Sequence, residues 1–337
     1  MKRTKILKPI EVKDAWSTPL ARDIWSVFKE GIYSELLEAV KVPYSNASGS
    51  ELEEAIRSGK IRFLNGKFSG QFTAATSKAL KEMGAVFDAK SKIWKIPLSS
   101  LTPEIQGAVS AAARSVIAQQ AIMETILTRI VDKVKILTLQ IPIADITQKT
   151  LSKVDSAFKE TVLEKMSVQP ELTGPDAIRF DERYVKSVTR PIKKALVVEN
   201  EINIQGSTNK FAEEEVIKLR EEISAWVKSG KSRKGLEDLI DARLRVGKDR
   251  AKFIAKQETS LYTSQFKQAQ YASAGIKKYK WKAVMDSRTR TLHRELDGQI
   301  FSWDNPPVVD LRTQERGHPG EAFGPCRCIA QPIVEFD

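Results

Sequence analysis

Residues 248–286 read KDRAKFIAKQETSLYTSQFKQAQYASAGIKKYKWKAVMD, and their change of period decides the fold class. Lys248–Ala274 reads as a long helix closed by Gly275. Ile276–Asp286 then alternates as a strand, with Ile276, Tyr279, Trp281 and Ala283 among its apolar positions. A long helix delivering into a strand points to an α+β unit, with Cys326–Val334 as a second strand candidate.

Working upstream, Ser232–Val246 is expected to be a separate helix stopped at Gly247. Asn209–Ser229 is expected to be an amphipathic helix burying Phe211, Val216, Leu219, Ile223 and Trp226. Glu213, Glu214 and Glu215 would sit near its positive end, with Gly230 beyond it. Periodicity fades over Ser167–Thr208, where Pro170, Gly174, Pro175, Pro191 and Gly206 punctuate the chain. This run is read as a long connector with at most a short helix and a strand-like Ala195–Val198, and the main boundary is placed here.

Further upstream, Pro103 starts a helix running to about Leu139, and another helix is expected over 147–167. Val109, Val116, Met123, Ile130 and Leu137 recur every seven residues, with Ile105, Ala112 and Ile126 on the neighbouring row. Gln119 and Lys133 interrupt that row, which favours a bundle helix packed on its own chain. Residues 60–98 read as a compact α/β module: strands flank Asn65-Gly66, a hairpin signal, and Thr73–Met83 is a helix ended by Gly84. Two short strands follow around Asp88-Ala89-Lys90. Phe68, Phe72, Phe87 and Trp94 are expected to form the module's core, the competing reading being a nucleic-acid surface. Residues 16–42 read as a helix, and 51–58 as a short one.

The expected fold is therefore mainly α with small α+β parts. It divides into 1-102, 103-208 and 209-337: an N-terminal α/β module, a helical middle and a C-terminal α+β domain. Of the 337 residues 41% are hydrophobic and 29% charged, which excludes disorder by composition. No stretch approaches the ~20 apolar residues of a membrane span. MKRTKILKPI lacks the apolar run of a secretory signal, so a cytoplasmic start is expected. The net charge of +12 favours an acidic partner, nucleic acid first. Two cysteines fit a reducing compartment.

The chain has two His and two Cys, and all four lie between His293 and Cys328. These are donors that zinc prefers. Cys326 and Cys328 are two apart, so on a strand both sulfurs share a face. A zinc site of His293, His318, Cys326 and Cys328 is one reading; two packed thiols and two satisfied imidazoles is the other. A Cys326–Cys328 disulfide is disfavoured by its short loop. As a catalytic alternative, Asp286, His293 and Asp297 would hold a hydrolytic metal, making the chain a metal-dependent nuclease. No further His, Asn or Lys is spaced to complete such a site. The chain also lacks a Walker A loop, a dinucleotide-binding glycine pattern and a G-x-S-x-G elbow, so no catalytic residue is assigned.

Between Arg243 and Arg294 there are 14 Lys or Arg against Asp249, Glu258 and Asp286. Lys278, Lys280 and Lys282 would share one strand face, either set against nucleic-acid phosphates or forming a solvated sheet edge.

Taken in order, several pieces resemble the head morphogenesis family of tailed phages, the Mu F-like minor capsid proteins. Lys252-Phe253-Ile254-Ala255-Lys256-Gln257-Glu258-Thr259 is similar to that family's I-A-x-T-E-T helix. Ala274-Gly275 through Trp281 is similar to its A-G-x-x-x-x-x-W strand entry. Asp286-x-Arg288-Thr289-x-x-x-His293-x-x-Leu296-Asp297-Gly298 resembles its D-x-R-T-x-x-x-H/C-x-x-L-D-G element. Pro319-Gly320-Glu321 and Cys326-Arg327-Cys328 resemble its P-G-E…C-R-C close. Many relatives carry C-x-x-C where this chain has Arg290 and His293. The resemblance spans about residues 210–335. It implies a non-enzymatic, low-copy minor capsid protein inside the virion, assembled in the host cytoplasm with the portal protein and other capsid components, at the vertex through which DNA is packaged. The alternative is a zinc-supported nucleic-acid-binding protein outside any virion. Packaged double-stranded DNA is a further expected contact, and a membrane is not.

Overall fold

The computed structural model describes residues 3–41, 51–57, 59–64, 67–97, 103–163, 182–229 and 233–336. In chain order these form β1 (Arg3–Ile6), α1 (Thr18–Phe28), a π turn, α2 (Ser34–Lys41), α3 (Glu51–Arg57), β2 (Ile61–Leu64), β3 (Lys67–Gly70), α4 (Ala74–Glu82), β4 (Val86–Asp88) and β5 (Ile93–Lys95). Then come α5 (Pro103–Thr138), α6 (Ile143–Phe158) with a π turn to Leu163, α7 (Glu182–Ser229), α8 (Arg233–Ser273), β6 (Lys278–Lys282), α9 (Thr291–Glu295), β7 (Ile300–Ser302), β8 (Val308–Asp310), β9 (Glu315–Arg316) and β10 (Ile329–Phe336). The protein is mainly α with small sheets, as the sequence indicates. Among the described residues no helix is long and apolar enough to cross a membrane.

Contacts group the chain into two compact units that are discontinuous in sequence, where the linker-based division is continuous. One comprises Met1–Ser26, Thr138–Thr208 and Asp249–Asp337; the other comprises Val27–Leu137 and Asn209–Lys248.

In the second unit, β2-β3-β5-β4 form an antiparallel sheet. The Asn65-Gly66 turn between β2 and β3 lies outside the described residues. Helix α4 begins with a reciprocal capping box between Thr73 and Thr76, and Gly84 follows it with φ +78°. Phe68 and Trp94 are buried with Ile61 and Leu80, and Phe72 packs against them half-buried. Phe87 departs from the core expectation: it is 45% exposed, its ring centroid 5.1 Å from that of Trp94. It stands on the sheet's outer strand, where one aromatic neighbour covers only part of it. On α5, Met123, Ile126 and Ile130 are buried as the heptad predicts. The side chains of its Ile105, Val109, Ala112 and Val116 lie outside the described set.

Two expectations about the long helices are overturned in this unit. Gly247 does not end a helix, because α8 runs through it. A Cβ at Gly247 would come within 2.7 Å of the Tyr33 ring, so glycine here permits close packing. Likewise Glu213–Glu215 do not lie at a helix start. Glu215 is buried in mid-helix, bonded by Tyr33 Oη at 2.9 Å and by Arg243 Nε at 2.8 Å.

In the first unit, β1-β10-β6-β7 form an antiparallel sheet with Arg3 opposite Phe336 and Ala330 opposite Trp281. Tyr279, Trp281, Tyr271, Trp303 and Phe158 fill the core beside it. The expected connector over Ser167–Thr208 is overturned from Glu182 onward: α7 is continuous through Pro191, and Ala195–Val198 is helical. Its buried stripe includes Val185, Thr189, Leu196, Asn200, Ile204 and Thr208, at helical spacing. Three of those six are polar, which is why a hydrophobic period fails to show. Asn200 Nδ2 donates to Thr147 Oγ1 at 2.6 Å, so one such polar position is bonded across to α6.

Glu258, on the buried side of α8, has its carboxyl pushed up to about 7 by burial. Glu199 adds to the rise and an Asn203 side-chain hydrogen bond opposes it. The folded state thus holds the proton more tightly than the unfolded chain. The stability gained is complete below the unfolded pKa of ~4.3 and is lost as pH rises through about 7. Glu258→Gln should therefore raise the free energy of urea unfolding at pH 8, by at most about 4 kcal/mol, with the gain shrinking toward pH 4.5. A pH-independent difference would show that this carboxyl is not the cause.

Candidate metal centre

The donor cluster is built by three segments of the first unit. Helix α9 presents His293 from its last turn, and Cys326-Arg327-Cys328 immediately precedes β10, which begins at Ile329 and not at Cys326 as expected. The third segment is the loop after β6, anchored by Asp286. The Asp286 carboxylate accepts from the Arg288 amide at 3.0 Å and from Arg327 Nη1 and Nη2 at 2.6 and 2.7 Å. Arg327 alternates with the two cysteines, so it reaches the loop while the sulfurs face the other way. Its paired bonds hold the Asp286 carboxyl well below the usual range.

His293 Nδ1 lies 3.4 Å from Cys328 Sγ and 3.6 Å from Cys326 Sγ. The three donor atoms are all within 4.8 Å of one another. Tetrahedral zinc, with bonds of about 2.3 Å to sulfur and about 2.0 Å to nitrogen, has N–S edges of about 3.6 Å. His293 Nε2 faces the Val309 carbonyl at 3.3 Å, so the tautomer that donates there leaves the Nδ1 lone pair on the sulfurs. Both cysteines are free thiols. Cys326 is driven toward thiolate, first by the Cys328 side chain and then by His293, while Cys328 holds its proton in that same bond. The donor set fits a metal ion and can hold one.

His318 is not part of this cluster. Its Nδ1 is 3.0 Å from the Tyr279 hydroxyl, and its ring packs on Tyr279 and Trp303. Burial lowers it to about 4, so at neutral pH it is a neutral acceptor for the Tyr279 O–H. The Pro319-Gly320-Glu321 turn beside it is structural. Glu321 accepts from the His318 amide at 2.8 Å, and Ser264 donates to the Pro319 carbonyl at 2.6 Å. Gly320 has φ +99° and a Cβ there would sit 3.1 Å from Ser264. Ser260 donates to the Cys326 carbonyl at 3.1 Å, so α8 supports both loops.

The nuclease arrangement is not assembled. Asp286 is committed to Arg327, and Asp297 Oδ1 accepts from the Ala283 amide at 2.8 Å. Lys278, Lys280 and Lys282 do share a face, opposite buried Tyr279 and Trp281. The edge-strand alternative is overturned, because β6 lies between β10 and β7. Lys278 Nζ is bonded to Glu335 at 2.8 Å, while Lys280 is half-buried and Lys282 exposed. Sequence reasoning missed the Asp286–Arg327 clamp and the Val309 carbonyl. The clamp has a visible signal, an arginine forced between two same-face cysteines; the carbonyl has none.

Residues 217–331 match the family model described as Phage Mu protein F like protein. That span holds all three donors, the Asp286 loop and the Pro319-Gly320-Glu321 turn. A relative from Haemophilus influenzae, described as an uncharacterized protein, is 42% identical over 86 residues. The match covers 26% of this chain and 18% of the relative's length. No solved structure matches the chain.

Proposed function

We infer that this chain is a structural head morphogenesis protein of a tailed phage, a minor capsid protein and not an enzyme. It assembles with the portal protein and other capsid components in the host cytoplasm and resides in the virion. The observation that carries this reading is how the family-like pieces meet. The Pro319-Gly320-Glu321 turn and Cys326 are bonded to α8, Arg327 ties the Asp286 loop to the cysteines, and His293 meets both sulfurs. The recess beside the donors is about 30 Å³, room for a water. Such a construction braces a surface. In this reading the metal is zinc, and its binding energy adds to the folding energy of the corner it closes.

Co-expression with the portal protein of the same phage tests the assignment. The two are expected to co-elute on size exclusion at micromolar concentration and moderate salt, and the chain to appear at low copy in purified heads by mass spectrometry. Separate peaks together with absence from heads would sink the reading.

The lysine face supports a contact with packaged DNA. Duplex binding is expected to be independent of sequence and to weaken steeply with salt, as released counterions drive it. Changing Lys278, Lys280 and Lys282 to Glu should flatten that salt slope, and an unchanged slope would leave these lysines as solvated cover for the sheet.

A further inference from the structure

We propose that the metal held by His293, Cys326 and Cys328 keeps a fourth, exchangeable coordination position that takes a small anionic donor from solution. The proposal rests on the cluster binding a metal, and four observations carry it further. First, His293 Nδ1 stands at a tetrahedral edge length from each sulfur and all three donors lie within 4.8 Å of one another, so an ion among them has one vertex left. Second, the chain has two His and two Cys in all, and the remaining one, His318, is bonded to Tyr279 and enclosed by Trp303. Third, the nearby carboxylate Asp286 has both oxygens on Arg327.

Fourth, the free side of the cluster opens on a pocket of about 30 Å³ that the three donors share with Arg288, Thr289 and Arg290. That seats one donor atom of a small ligand against the ion, and the recess is open to solvent beyond it. Arg290 stands one helical turn before His293, and its guanidinium bonds the Gly324 carbonyl at 2.9 Å and the Phe323 carbonyl. A fixed guanidinium on the rim of a water-sized space favours an anion over a neutral donor. Closed structural zinc sites use four protein donors, whereas sites with three keep a position for exchange. This centre has the second pattern although it sits in a bracing role.

The test uses the full chain loaded with cobalt(II) in place of zinc. One cobalt per chain is expected, with a visible spectrum that azide shifts saturably. Arg290→Cys should supply the fourth thiolate, abolish the azide response and slow metal loss to a chelator by at least an order of magnitude. Should that variant fail to fold, Arg290→Ala is expected to keep the metal and bind azide several-fold more weakly. His318→Ala should retain both the metal and the azide response. A fully loaded protein whose spectrum ignores azide, or loss of metal in His318→Ala, would overturn the exchangeable position. Failure to load cobalt or zinc at all would overturn the metal reading itself, a result distinct from a loaded, azide-silent protein.

Discussion

Cys328→Ser is expected to strip the metal from the protein and to cost the first unit more than about 3 kcal/mol, above the range of ordinary point changes. A buried thiol that only packed would lose about 1–3 kcal/mol, since serine matches its size but buries a hydroxyl in an apolar place. A thiolate ligand surrenders the ion, and with it the folding energy that the ion supplies. Cys326→Ser and His293→Ala should behave alike, because each removes one of three donors. His318→Ala should cost about 2–5 kcal/mol, for an unpaired Tyr279 hydroxyl and the cavity left beside Trp303, with metal content unchanged. From the sequence, damage would be confined to the segment after Asp286, with residues 1–205 intact. The pairing of Arg3–Ile6 with β10 widens it: hydrogen exchange should rise in β1 as well as in β6 and β10. The sheet formed by β2 to β5 should keep its protection. A metal-free wild-type protein, or a Cys328→Ser variant with unchanged exchange, would return both thiols to packing.

Arg243→Met is expected to destabilise the second unit by about 3–5 kcal/mol, because it strands a buried carboxylate. The Glu215 side chain is 0% exposed and that of Arg243 only 13%. Arg243 reaches Glu215 through both Nε and Nη2, and Tyr33 adds a third donor. Burial, with Glu215 beside it, pushes the Tyr33 hydroxyl well up, so it remains a donor throughout the accessible pH range. Pairing Glu215→Leu with Arg243→Met should recover most of the loss, since apolar replacement of a whole buried pair is often neutral. Urea denaturation followed by exchange over α5 and α2 checks both. A single variant costing under about 1 kcal/mol would mean that water reaches the carboxylate.

Local patterns were legible wherever local chemistry decides. Thr73, Gly84 and Gly275 mark real helix boundaries, and both glycines adopt positive φ. The alternation of Tyr279 and Trp281 correctly gives the buried face of β6. Gly247 and Pro191 carry the same local signal as a stop, yet helices pass through both. At Gly247 the reason is Tyr33, which no sequence window contains. Over 182–208 the buried stripe is half polar, so the helix hides from any hydrophobic count. At the site, composition found three residues that do meet, and added His318 because its residue type fitted. Residue type could not foresee that Tyr279 engages that imidazole.

The pairing of β1 with β10 has a consequence for how the chain is made. During synthesis β1 leaves the ribosome when its partner is still most of the chain's length away, and β10 must enter between β1 and β6. The first strand therefore spends translation without its neighbour, and Cys326 and Cys328 arrive with the same late segment. Long-range pairings of this kind close slowly, because loop entropy is spent before any contact forms. The nascent protein should stay open to chaperones, and to early engagement by other assembling subunits, until that segment emerges. At that point the sheet and its metal-binding corner can form together.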